Sequence, residues 1–312
     1  MFYEHLEDID PNIEISAPEL DILLRNAINR CSIELRTVTN LSPEAKNLLA
    51  DLLLAFGITH RSIRLLIGQY ETAIELSSDA MSLAREQVEK TFVLALLADD
   101  PTKWVTSYIK SGWKKRYERF LLDKKESQNL PEHTDFFTNL GSQLMEESRV
   151  ICRVSKDEML ATEFKYYNRG KALPQNLQGS VINEFPTPGN AKKEVKNPAL
   201  KDALERWYLE YKFLCGYSHI GTDKLLAQAL TSRRFELTEL QRSEFFQKNL
   251  ASALVISSVA AAFACTEVYG FVSHNIEIAG ALTKLWDEVE KKSLLGKAFW
   301  NLHAKKILSA LC

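Results

Sequence analysis

The stretch that decides the fold is NLASALVISSVAAAFACT, residues 249–266, which carries no charged side chain. Its length and composition fit either a helix that spans a membrane or a helix buried at the centre of a globular protein. Much of it is alanine and serine, and Glu267 follows at once, so its transfer into lipid would gain little free energy. We therefore predict a buried central helix whose small side chains let neighbouring helices pack closely.

Outward from this stretch, helix start signals recur along the chain. A cap residue stands directly before a proline at Ser42-Pro43, Asp100-Pro101 and Asn197-Pro198, and Ser16 to Glu19 has the spacing of a capping box. Only 12 glycines and 9 prolines interrupt 312 residues, and no strand pattern of comparable length occurs. These signals predict an all-α protein, a single large bundle of long antiparallel helices.

Glycine and proline concentrate between Gly170 and Pro198, which cannot form one long helix. We interpret this segment as an extended loop between two helical halves that pack together, and a linker between independent domains is the alternative. The predicted division is an N-terminal helical arm over 1–45 and a helical bundle domain over 46–312, with an irregular insertion over about 125–198.

Composition narrows the class of protein. The chain is 46% hydrophobic and 26% charged, so we expect a hydrophobic core. Its formal net charge of -2 does not favour non-specific electrostatic binding of nucleic acid. Its five cysteines are scattered without a C-x-x-C pair, which argues against a disulfide framework or a zinc site. The acidic first residues do not resemble a signal peptide. We expect a cytoplasmic protein with no membrane, metal or cofactor.

Arg85 and Glu89 are the first candidate site residues. They are four residues apart and so share one face of a predicted helix, and that face becomes apolar downstream at Phe92. Charged side chains inside a helical bundle destabilise the fold unless they are paired, so their presence at these positions indicates a functional role. The alternative is an ordinary ion pair on the surface.

A second polar interruption occurs in the stripe formed by Tyr211, Cys215 and His219, which follow one another at four-residue spacing. His219 stands where a leucine is expected, near the predicted C-terminus of the helix, where the helix dipole favours an imidazolium. The alternative is a histidine that caps its own helix.

Two polar interruptions in packed helices cost least when they satisfy each other, because an isolated buried polar group costs about 1–3 kcal/mol. We therefore predict that Arg85, Glu89, Tyr211 and His219 share one pocket. Glu89 would orient His219 or neutralise Arg85, and the tyrosine hydroxyl would complete the hydrogen bonds.

Two basic segments are weaker candidates. His60, Arg61 and Arg64 are interpreted as a solvated helix start. The run from Lys110 to Arg119 combines cations with Trp113 and Tyr117, so it is either a surface that contacts phosphates and stacks a base or an ordinary solvated helix face.

The order of these motifs resembles a bacterial all-α family of unknown function related to the HEPN (higher eukaryotes and prokaryotes nucleotide-binding) helical bundles. The matching residues, which cover roughly residues 50 to 225, are His60-Arg61-Ser62, Ala84-Arg85 with Glu89, Trp104, and Tyr211 followed by Cys215, His219 and Thr222. Cys215 and Thr222 depart from the serines of the family pattern.

The resemblance implies a nuclease or nucleotide-processing protein of bacterial defence. His219 would act as the acid or base and Arg85 would stabilise phosphate charge, with Glu89 and Tyr211 completing the catalytic site. HEPN ribonucleases carry an arginine a few residues before the histidine of one helix, whereas Lys212 stands before His219 here. A non-catalytic module that binds RNA, a small anionic ligand or a protein partner is therefore the alternative.

The resemblance also implies a homodimer, since HEPN-like bundles commonly pair. We expect sedimentation of the purified chain at low concentration to give twice the 35.5 kDa mass of one chain. A monomer under these conditions would contradict this expectation.

Overall fold

The computed structural model describes residues 18–68, 76–127, 133–218, 239–272 and 275–310. These ranges contain helices and no strand, which confirms the all-α prediction. The helices are α1 (Pro18–Glu34), α2 (Pro43–Gly68), α3 (Ser77–Asp99), α4 (Pro101–Glu126), α5 (Thr134–Val150), α6 (Lys156–Tyr167), α7 (Pro188–Glu194), α8 (Pro198–Ser218), α9 (Glu239–Tyr269), α10 (Ile276–Lys292), α11 (Leu294–Phe299) and α12 (Lys305–Ala310). Residues 300–304 form one π-helical turn between α11 and α12.

The chain divides into two compact units. The first consists of the described parts of 1–101 and 188–312, and the second consists of those of 102–187. In the first unit α9 packs against α1, α2, α3, α10 and α11, and α3 also packs against α8. The helix α9 is therefore the centre of this unit.

From Asn249 onward the helix α9 is buried on all sides. Among the described residues it is the one helix that is long and apolar enough to cross a membrane, over Phe246–Tyr269, and every residue of its most apolar window lies inside the protein. This confirms the predicted buried central helix. Its hydroxyl groups are satisfied within the core, since Ser258 and Thr266 donate to the carbonyl oxygens of Leu254 and Ala262 one turn earlier.

The second unit is built on aromatic side chains of α4. Trp113, Tyr117 and Phe120 form a stack with ring centroids 4.8 and 5.9 Å apart, and they pack against Leu144 of α5. The Trp113 indole donates a 3.0 Å hydrogen bond to the carbonyl oxygen of Leu144, and Tyr117 donates to Glu163 of α6.

This division differs from the expected boundaries. We expected an irregular insertion over about 125–198, but the second unit starts at 102 and the helices α5 and α6 lie within the expected range. The unit starts early because α4 continues without a break through residue 126 and buries its aromatic face there. The segment expected as an N-terminal arm contributes α1, which buries Leu24, Ala27 and Cys31 in the first unit.

A buried glutamine joins three helices of the first unit. The Gln87 side chain, on α3, donates to the carbonyl oxygens of Phe56 on α2 at 3.1 Å and Ser257 on α9 at 3.3 Å. It also accepts a 2.7 Å hydrogen bond from the Ser257 hydroxyl. No part of Gln87 is exposed, so water cannot replace these bonds.

We expect Gln87→Met to lower the free energy of unfolding by about 1–3 kcal/mol, because it removes three hydrogen bonds that join α2, α3 and α9 in the core. Urea denaturation followed by circular dichroism measures this change. Gln143→Met is the control, since the exposed Gln143 amide bonds only the neighbouring Glu147 and its loss should cost about 0.5 kcal/mol or less. Equal effects of the two substitutions would contradict the assigned role.

Candidate functional site

The structure brings together Arg85, Glu89 and Tyr211, three of the four residues predicted to share a pocket. Nη2 of Arg85 donates to Oε1 of Glu89, one turn along α3, at 2.8 Å. The same nitrogen lies 3.5 Å from the Tyr211 hydroxyl on α8, and the guanidinium carbon lies 5.4 Å from the centre of the Tyr211 ring. The pair is therefore more than a surface i,i+4 ion pair, since it also joins α3 to α8.

The residues of this group shift one another's pKa values. Partial burial raises the pKa of the Tyr211 hydroxyl. The hydrogen bond with Arg85 lowers this pKa, whereas Cys215 and Glu89 raise it further. Burial opposes the charge on Arg85, but the hydrogen bond with Tyr211 and the charge of Glu89 outweigh it, so that the pKa of Arg85 is raised. Tyr211 is therefore a neutral hydroxyl beside a permanent cation at physiological pH.

Further cations and a second tyrosine lie beside Tyr211. Its ring stacks on that of Tyr208 with centroids 6.1 Å apart, and Phe92 of α3 contacts it edge-on. The ammonium groups of Lys192 and Lys212 lie 4.5 and 5.0 Å from the centre of the Tyr208 ring. We refer to these residues as the Arg85 cluster, which comprises Arg85, Glu89, Lys192, Tyr208, Tyr211 and Lys212.

One donor of the Arg85 cluster has no partner. Nε of Arg85 is buried and makes no hydrogen bond within the part of the chain that the structure describes. A buried donor without a partner costs free energy. The rest of the guanidinium is held by Glu89 and Tyr211, and the Arg85 side chain as a whole is 17% exposed.

The remaining predicted site residue, His219, lies outside the described residues, as does Thr222. In the sequence His219 follows Cys215 by four residues, and Cys215 is half-buried at the end of α8 beside the cluster. The role predicted for His219 stays a prediction.

The aromatic residues of the basic run do not form a nucleic-acid surface. Trp113 is fully buried and Tyr117 is 2% exposed in the core of the second unit, so neither ring can stack a base. The cations of the run pair with carboxylates, as Lys110 does with Glu158 at 2.7 Å and Arg116 with Glu147 at 2.6 Å. The alternative of a base-stacking surface is wrong, because α4 buries its aromatic face.

The interpretation of His60 as part of a solvated helix start is also wrong. His60 lies well inside α2 and is 6% exposed. Its Nδ1 is 2.8 Å from the Ser257 hydroxyl on α9, and its Nε2 is 3.0 Å from Oδ1 of Asp21 on α1. Arg64 completes the group by pairing with the other Asp21 oxygen at 2.7 Å.

The hydrogen bonds of Ser257 connect this group to Gln87. The amide nitrogen of Gln87 faces two carbonyl oxygens, so its oxygen accepts the proton of the Ser257 hydroxyl. The same hydroxyl oxygen faces Nδ1 of His60, and Nε2 of that ring faces a carboxylate oxygen of Asp21.

The order Asp21, His60, Ser257 resembles that of a hydrolase triad, but burial argues against that chemistry. The Ser257 hydroxyl is fully buried, so no substrate can reach it, and it donates its proton to Gln87. The network therefore holds α1, α2, α3 and α9 together and is not a nucleophilic site.

Neither a metal site nor a known relative accompanies these features. The described ranges contain no group of three or more histidine, cysteine or acidic side chains that could hold a metal ion. Comparisons with protein-family models, curated proteins and solved structures give no match to this chain.

The charge of Asp21 makes the stability of the fold depend on pH. Burial opposes ionisation, but the hydrogen bond from His60 and the charge of Arg64 outweigh it, so that the pKa of Asp21 lies below its ordinary value of 3.8. A carboxyl group with a lowered pKa stabilises the fold above its ordinary pKa, and this stabilisation is lost as the pH falls through the folded-state value.

We expect Asp21→Asn to be less stable than the unaltered chain by a constant amount between about pH 5 and pH 7. Below about pH 4 the difference should shrink, because the unaltered aspartate becomes protonated as well. Urea denaturation across this pH range measures the difference. A difference that persists unchanged to the lowest pH at which the chain folds would show that the charge of Asp21 is not responsible.

Proposed function

We propose that the protein is a helical binding protein that holds a phosphate-bearing ligand, an RNA end or a nucleotide, at the Arg85 cluster. The observation that carries this proposal is that Glu89 and Tyr211 hold the partly exposed Arg85 guanidinium in place, with two lysine ammonium groups against the neighbouring Tyr208 ring. An arginine oriented in advance loses little side-chain freedom on binding, and its planar fork matches a phosphate.

The remaining residues of the Arg85 cluster support the same class of ligand. Tyr208 and Tyr211 present two stacked rings that are only partly buried, and aromatic faces of this kind stack on nucleobases. Lys192 pairs with Glu205 at 2.7 Å, so the cluster and this neighbour combine three cations with two carboxylates. The excess of positive charge favours an anion.

Metal-independent cleavage of phosphodiesters is the second candidate function, and it rests on the resemblance to HEPN-like bundles of bacterial defence. The observation that favours it is the 3.5 Å contact between Arg85 and Tyr211, motif residues that are 126 positions apart in the chain. In this version His219 transfers the proton and Arg85 stabilises the developing phosphate charge. The homodimer implied by the same resemblance belongs to this proposal.

We expect Arg85→Gln to weaken the binding of a fluorescent single-stranded RNA about tenfold or more, since it removes a charged donor pair worth about 1.4 kcal/mol or more. Fluorescence anisotropy measures the affinity, with ADP as a competitor that tests the nucleotide. The affinity should also fall as salt concentration rises.

The matched control is Arg119→Gln. Arg119 also pairs with an acidic residue one turn along its helix, Asp123 at 2.9 Å, but its side chain is 72% exposed in the second unit. Equal binding by the two variants, or an unaltered chain that binds neither RNA nor ADP, would overturn the proposed ligand. RNA fragments that appear with the unaltered chain and disappear with His219→Ala would establish the catalytic version over simple binding.

A further inference from the structure

The outward face of α2 carries aliphatic side chains where a helix normally presents polar residues to water. Leu54, Ile58 and Leu65 are 47%, 68% and 63% exposed. Together with the exposed Arg61 they follow one another at spacings of four, three and four residues, which places them on one stripe of the helix. A contiguous exposed apolar stripe with charge beside it is characteristic of an interaction surface.

The helix α1 forms the other wall of a groove along this stripe. Ile22, 47% exposed, and Arg25 project from α1, while Ile28 packs on α2 at Gly57. A Cβ atom at Gly57 would lie 3.2 Å from Cδ1 of Ile28, so the glycine allows the two helices to approach closely. The space between them, which we call the α1–α2 groove, has a volume of about 620 Å³ and an apolar floor.

The groove is positively charged on both walls. Arg25 of α1 and Arg61 of α2 are exposed, and neither has a hydrogen-bond or ion-pair partner within the described ranges. Arg64 and His60 lie at one end, where they share the carboxylate of Asp21. The acidic side chain of the groove is thus neutralised, and the two guanidinium groups remain available on either side of the floor.

We propose that the α1–α2 groove binds an acidic amphipathic helix of a partner protein. The stripe from Leu54 to Leu65 covers about 16 Å of helix axis, or three turns, which matches a helix that presents apolar side chains at i, i+4, i+7 and i+11. Since Arg25 and Arg61 flank the floor on opposite sides, the partner carries acidic residues on both sides of its apolar face. This surface is separate from the Arg85 cluster, so the inference does not depend on the proposed ligand.

Charge and shape disfavour two other occupants. In a symmetric pair of chains the same patch meets itself, which would bring the unpaired arginines of one copy against those of the other. An anionic bilayer presents a broad surface that would contact the protruding Ile58 and Leu65 but would leave the floor at Leu24 and Ile28 uncovered. A helix is narrow enough to enter between α1 and α2.

The test uses the full chain and a fluorescein-labelled synthetic helix of about sixteen residues, with leucines at the i, i+4, i+7 and i+11 positions and glutamates on both flanks. Fluorescence anisotropy should show saturable binding that weakens about tenfold or more with Ile58→Asp and with Arg61→Glu. Both positions are exposed, so neither substitution disturbs the core. The control is Ile276→Asp, at an isoleucine that is 82% exposed on α10, and it should bind as the unaltered chain does.

A charge exchange makes the test specific. The double variant Arg25→Glu with Arg61→Glu should bind a peptide in which lysines replace the glutamates, and it should lose the acidic peptide. Binding of the acidic peptide that survives Ile58→Asp, or that persists when its leucines are replaced by alanine, would overturn the proposal. Self-association or binding to phosphatidylserine vesicles that Ile58→Asp abolishes, without any binding of the peptide, would overturn it in favour of a second copy or a membrane.

Discussion

The burial of α9 on every side from Asn249 onward is the constraint on which the first unit depends. A helical segment that exposes no face must be surrounded by other helices, and here α1, α2, α3, α10 and α11 surround it. Alanine and serine occupy much of its surface, so those neighbours can approach closely. Its hydroxyl groups bond within the helix or to neighbours, as Thr266 does by accepting from the Trp286 indole at 2.9 Å.

This close packing also determines how the surrounding helices are rotated. Ser257 of α9 bonds Gln87 of α3 and His60 of α2, and His60 in turn bonds Asp21 of α1. Because buried polar groups must find partners, a rotation of any of these helices would leave several groups unsatisfied. Apolar packing alone would allow several arrangements of these helices, and the polar network therefore selects one of them.

Both candidate surfaces follow from that arrangement. Gln87 and Arg85 are two residues apart on α3, so when Gln87 faces α9 the guanidinium of Arg85 faces α8 and meets Tyr211. In the same way, His60 faces inward from α2, and this leaves Ile58 and Arg61 on the outward stripe of the groove. Residues of the candidate surfaces and residues that stabilise the fold thus alternate along the same helices.

Part of the candidate site was predictable because its signals are local. Arg85 and Glu89 share a helix face through their spacing, and Tyr211 interrupts an apolar stripe, so the sequence pattern alone indicated that these residues meet. His60 was misinterpreted because its partners, Asp21 and Ser257, lie 39 and 197 residues away. For Trp113 the sequence did not distinguish a base-stacking surface from a solvated helix face, because the sequence around an aromatic residue does not show whether that side of the helix is covered.

The sequence by itself determined the helical class, the positions where many helices begin, and the buried character of residues 249–266, because propensity, capping and uncharged composition act over short distances. The tertiary structure decided which side of each helix is covered. α2 carries aliphatic residues all round, so only the placement of α1 and α9 distinguishes the buried Leu53 from the exposed Leu54. The starting point of the second unit and the partners of His60 depend on the same long-range packing, which no local pattern contains.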